Sequence, residues 1–243
     1  MASTSETGHA KNVANFQSLI AFVITIKDNY NPSKNALQLP QLISLKAQAD
    51  ENLAQVVAQN TNYNNTVNQR MQAFSGLKAL STRLVNALQT TDATDEVINE
   101  AKSFNKKIQG QRATAIPKPN NPDTPVPNTI STSQQSYTQQ IQHLAGLISV
   151  LENERSYSPN EEELKVETLQ AKLRTLSNLN DEVANEYANV SSARRTRNTT
   201  LYSNEGSIFD TAAEVKKYIK SVFGTTSPEF AQIKGLKFTK PKA

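Results

Sequence analysis

Apolar residues recur along most of the chain at helical spacing. Phe16, Leu19, Val23, Ile26 and Tyr30 mark one stripe, and Tyr137, Ile141, Leu144, Ile148 and Leu151 mark another. Steps of three and four residues are the seam of an amphipathic helix packed on other helices. Two longer seams follow these: Leu42, Ala49, Leu53, Val56, Asn60, Tyr63 and Val67, and Leu169, Leu173, Leu176, Asn180, Val183, Tyr187 and Val190. Each predicts a helix on the order of 50 Å long. Shorter helices are predicted through Leu77, Leu80, Leu84 and Leu88, through Val97, Ile98, Ala101 and Phe104, through Ile208, Ala212, Val215, Ile219 and Val222, and through Phe230 and Ile233. Strand-like alternation is confined to LKVET and LKFTK.

The series is written twice. NYNPSKNALQLPQLISLK, residues 29–46, and SYSPNEEELKVETLQAKL, residues 156–173, align with Tyr30 over Tyr157, Pro32 over Pro159, Leu37 over Leu164 and Leu42 over Leu169. The same offset of 127 carries on through Ala49 and Leu176, Val56 and Val183, Tyr63 and Val190, Arg70 and Arg197, and Phe74 and Leu201. Phase kept over roughly nine turns implies a duplicated unit of about 100 residues. Ser158-Pro159-Asn160-Glu161 has the order of a capping box, and Asn31-Pro32 can cap in the same way. Pro40 is tolerated only near a helix start, so the long helices are expected to begin near Pro40 and Glu167, after a short turn. Gly76 and Gly206 are expected to reverse the chain in left-handed geometry, and Thr94-Asp95-Glu96-Val97 and Ser227-Pro228-Glu229-Phe230 to start the last helices. Pro117, Pro119, Pro122, Pro125 and Pro127 predict an extended spacer.

The expected fold is therefore all-α: two tandem antiparallel three-to-four-helix bundles, elongated, with one long central helix each, joined by a Pro-rich linker. The expected boundaries are a flexible tail over 1–12, a first bundle over 13–110, the linker over 111–131, a second bundle over 132–238 and a basic tail over 239–243.

Composition narrows the chemistry. The 243 residues include no cysteine, which removes disulfides, thiolate nucleophiles and cysteine-based metal sites. The opening MASTSETGHAKN lacks a basic signal-peptide region, and the run LIAFVITI is far shorter than the roughly 18 apolar residues of a membrane span. These features point to the cytoplasm, without excluding export by another route, and make a membrane partner a weak expectation. Net charge is +4, unevenly spread: residues 152–187 hold nine acids against four bases, and residues 194–243 hold ten bases against four acids.

Neither histidine has a metal-binding companion at helical spacing, and Glu161, Glu162 and Glu163 suit the start of a long helix. No phosphate-binding glycine loop, nucleophile elbow or zinc-protease motif occurs. We therefore expect no enzyme, no catalytic residue, no metal and no cofactor. The candidate interaction residues are the cluster Arg194, Arg195 and Arg197, with Lys216, Lys217, Lys220, Lys237, Phe238 and Lys240. They read either as a solvated helix end and a tail tucked onto the bundle, or as a basic face for nucleic acid or an anionic surface. Arg197, in register with Arg70, also reads as an internal salt bridge.

With RNTTLY, DTAAEVKKYIKSVFG, TSPEF and IKGLKF placed, the second half resembles a type of small helical protein found among bacterial sequences, especially of the Bacteroidota. The resemblance implies an all-helical bundle and a bacterial source, and carries no activity. The expected function is that of a structural or protein-interaction protein, presenting helical faces to a protein partner or to copies of itself in a filament or array. Nucleic-acid binding is the alternative.

Overall fold

In a computed structural model, which describes residues 4–110 and 135–241 and the side chains from residue 8 onward, the chain is all-helical, with no strand among the described residues. The helices are α1 (Thr4–Ile26), α2 (Leu39–Ser75), α3 (Leu77–Leu88), α4 (Asp95–Gln109), α5 (Tyr137–Asn153), α6 (Val166–Tyr202), α7 (Ile208–Phe223) and α8 (Pro228–Lys234). The linker expected over 111–131 lies outside the described residues.

Local chemistry sets the boundaries. Ser136, Ser207 and Ser227 each accept a hydrogen bond from the backbone N–H three residues on, and Pro228 follows where no donor is lost. The long helices begin at Leu39 and Val166, each after a single 3₁₀ turn, Asn35–Leu37 or Glu162–Leu164. The capping box at Ser158–Glu161 does not form, because no α-helix starts there. The turn is closed instead by a phenol: the Tyr157 hydroxyl donates to the Leu164 carbonyl at 2.9 Å, as Tyr30 does to Leu37 at 2.7 Å. Gly206 is left-handed as expected (φ 68°), whereas Gly76 is right-handed (φ −89°), a break between Ser75 and Leu77 without a left-handed reversal.

Two compact units form. The first comprises the described residues up to Tyr63 and those from Glu186 onward; the second comprises Asn64–Asn185. In the first unit, Phe16, Leu19, Ile20 and Val23 of α1, Leu42 and Ala49 of α2, Leu201 of α6, Ala212, Val215 and Ile219 of α7 and Ile233 of α8 make one core. In the second, Phe74 of α2, Leu77, Leu84 and Leu88 of α3, Ala101 and Ile108 of α4, Leu144, Leu147 and Leu151 of α5, and Leu169 and Leu176 of α6 make another. Each unit thus takes its first helix, its turn and the opening of its long helix from one half of the sequence. The close of the other long helix and the third and fourth helices come from the other half. The units therefore do not coincide with 13–110 and 132–238. A duplicated apolar stripe says that a face is buried, but the two copies of the covering helix satisfy it equally well on paper.

The ends differ from expectation as well. The first residues are not a tail: α1 starts at Thr4, with His9 and Asn12 buried. Asn12 pins the other end, its Nδ2 donating to the Thr239 carbonyl at 2.8 Å while its Oδ1 accepts from the Thr239 amide at 3.1 Å. In the second unit α4 and α5 pack closely, since a Cβ built on Gly146 would lie 2.3 Å from the Phe104 ring. Gln135 Nε2 donates to the Lys107 carbonyl at 2.8 Å, so the flanks of residues 111–134 meet rather than being held apart.

Candidate interaction surfaces

The arginine cluster is dispersed by the helix that carries it. At about 100° per residue, Arg194, Arg195 and Arg197 cannot share one face of α6. Arg197 is buried and donates to Asn198 Oδ1 at 2.9 and 3.1 Å. Arg194 turns to α2, where Nη2 donates to Asn60 Oδ1 at 3.1 Å, and Arg195 is exposed. The register-matched Arg70 lies 4.1 Å from the Tyr137 ring centroid and donates to Asn180 Oδ1 at 3.1 Å, a cation–π and amide contact in place of the internal salt bridge expected of this position.

The lysines divide similarly. Lys216 is half-buried; it donates to the Leu236 carbonyl and lies 5.3 Å from the Phe238 ring centroid, and burial pushes its ammonium pKa down. Lys240 lies 4.9 Å from the Phe209 ring centroid, and the Lys237 carbonyl accepts from Asn15 Nδ2 at 2.7 Å. Leu236 and Phe238 pack on the core of the first unit. The tail over 236–240 is therefore a strap across α1 and α7, and Lys217 and Lys220 stay in solvent. Tyr187, counted in the seam from sequence, is 61% exposed and stacks on Tyr63 with centroids 5.9 Å apart.

The most informative surface lies where the turn before each long helix meets the third helix. Each contact joins one half of the sequence to the other. In the first unit Lys34 of the turn pairs with Glu214 of α7 at 2.6 Å; in the second Glu163 of the turn pairs with Arg83 of α3 at 2.6 Å. The sign is reversed. Hydrogen bonding to Glu214 raises the Lys34 ammonium pKa.

Beside this pair, the Tyr218 ring of α7 stands edge-on to Tyr30, with centroids 5.3 Å apart at 85°. The Tyr218 hydroxyl accepts from the Asn31 amide at 3.1 Å. Burial, then the neighbouring phenol of Tyr218, hold Tyr30 well above the usual tyrosine pKa. In the second unit the turn tyrosine, Tyr157, borders a cleft of about 470 Å³, whose walls are residues 87 and 90–92 at the end of α3 and residues 156–161 of the turn. Burial, then Glu161, push Tyr157 up to about 12.

Both histidines sit inside the protein. His9 Nδ1 lies 2.6 Å from the Tyr202 hydroxyl. His143 is buried on α5, where burial, then the nearby Lys107, push its pKa down. No family model, no curated protein and no solved structure matches the chain.

Sequence reasoning found the paired tyrosines but not what stands against them. The signal was present: matching α3 to α7 by their buried leucines and isoleucines, at an offset of 131, puts Ala87 on Tyr218.

Proposed function

We propose that the protein is a non-enzymatic structural and interaction protein of the cytoplasm, whose helical faces serve a protein partner or other copies of the same chain. The observation that carries this reading is the reciprocal make-up of the two units, each combining helices of both halves. Such halves are helix-pairing partners that happen to share a chain, joined through the Pro-rich stretch. A second copy offers the same helices, so exchange of halves between copies supplies a route to dimers and to an open array.

The absence of native cysteine makes a clean test available. Lys34→Cys with Glu214→Cys, joined by a thiol-reactive bifunctional linker, closes within one copy in a monomer and between copies after exchange. Covalent ladders that lengthen with protein concentration, matched by light scattering, are expected. Closed monomers at every concentration remove self-assembly and leave only a partner-binding role. The nucleic-acid alternative draws no support from the dispersed arginines and the tail-bound Lys216. It requires salt-sensitive retention of DNA or RNA.

A further inference from the structure

The cleft beside Tyr157 has a counterpart in the first unit that is filled, and the filling group is visible. Leu77, Leu84 and Leu88 of α3 match Ile208, Val215 and Ile219 of α7, all fully buried, which sets Ala87 on Tyr218. Tyr218 covers Tyr30 edge-on, and its hydroxyl takes the amide of Asn31. The second turn has the same internal lock, from the Tyr157 hydroxyl to the Leu164 carbonyl, and Ser158 stands where Asn31 does. With a methyl group at Ala87 in place of a phenol, about 470 Å³ opens between α3 and the turn. A cavity of about 150 Å³ is enough to hold benzene. A ring entering here meets Tyr157 as Tyr218 meets Tyr30, an arrangement aromatic pairs favour. Its hydroxyl reaches the turn as the hydroxyl of Tyr218 does.

We propose that this cleft is a binding site for a tyrosine side chain presented by a protein partner, in the position that Tyr218 occupies in the first unit. Asp92 and Glu161 line it and favour a partner whose tyrosine has a basic neighbour. The inference rests on the interaction reading above and names the chemistry that the partner brings.

The test is a titration of the full-length, nitrogen-15-labelled protein with N-acetyl-tyrosine amide, using N-acetyl-alanine amide as control. Saturable shifts confined to residues 87–92 and 156–161, and seen only with the tyrosine probe, are expected. Ala87→Tyr puts the ring in place within the chain and abolishes them; Ala87→Leu, a smaller filler, does so if the tyrosine variant fails to fold. Tyr218→Ala opens the counterpart and adds a second set of shifts around Tyr30 and Asn31. Shifts that are absent, scattered over the protein, or unchanged in a folded Ala87 variant overturn the proposal. The two readings fail separately: a negative titration leaves the crosslinked ladders standing, and monomers that still bind the probe remove self-assembly while keeping the cleft.

Discussion

In the first unit the third helix covers the turn with Tyr218 and holds it with the acid Glu214; in the second the same helix offers Ala87 and the base Arg83. The turns differ in the opposite sense, Lys34 against Glu163. Every one of these contacts joins the two halves. The first half is therefore basic at both of its joints and the second acidic at both. Two first halves paired together would set Lys34 near Arg83, and two second halves would set Glu163 near Glu214. Each such ion pair is exposed and weak on its own, yet like charges in the same places penalise the wrong pairing. Duplication alone would have produced halves that pair with themselves; the reversed charges favour unlike halves. Exchange between copies keeps that rule, because it still joins a first half to a second.

The strongest way to break the comparison is to empty one core. Leu88→Ala and Ile219→Ala remove fully buried side chains at matched positions, and each should cost about 2–5 kcal/mol in urea unfolding. Hydrogen exchange should then lose protection throughout the mutated unit. For Leu88→Ala this includes α5 and the opening of α6, from the other half; protection lost only over 77–109 contradicts the reciprocal assembly. Next is Gly146→Val, which drives a side chain into the Phe104 ring and should cost about 1–3 kcal/mol. Valine at Ser18, the matching and partly exposed place on α1, should be nearly silent in the same assay.

Removing either lock hydroxyl, as Tyr30→Phe or Tyr157→Phe, should cost about 0.5–1.5 kcal/mol, with the larger loss at the more buried Tyr157. Both folded phenols titrate above the unfolded tyrosine value of about 10, so their contribution is intact below that pH. As pH rises further the unfolded chain ionises first, and stability should fall between about pH 10 and about 12 for Tyr157, less steeply in Tyr157→Phe. His143 works in the acid direction: its folded pKa is depressed, so stability should decline as pH drops below about 6.5. His143→Asn, the residue type at its α1 counterpart Asn15, should flatten that decline. The smallest effect is expected from Lys34→Glu, a slight fall in Tm that fades in high salt and is restored by adding Glu214→Lys.

The helices themselves were legible because burial leaves a three-four rhythm, and the starts at Leu39, Val166 and Pro228 were legible because proline and serine act on their own neighbours. The pairing of the halves was not legible. Leu84 and Val215 are equally fit to cover either first helix, and the choice rests on contacts such as Arg83 with Glu163, separated by 80 residues in sequence. The basic residues misled for a related reason. Arg194, Arg195 and Arg197 are neighbours in a written line, but a helix spreads them to a partner amide, to solvent and to the interior. His9 and Asn12 lie in a polar stretch, and only the returning residues 202 and 239 give that polarity a reason to be inside.

The reciprocal arrangement also bears on how the molecule is born. Everything the second unit needs has left the ribosome by about residue 185, but α1 must wait for α7, α8 and the strap that ends at Thr239. Until then its row of Phe16, Leu19, Ile20 and Val23 has no permanent cover. Contacts as distant as His9 with Tyr202 close slowly. During synthesis the earliest helix is thus the last to be sheltered, and that interval is when a neighbouring nascent chain has its best opportunity to substitute for the missing half.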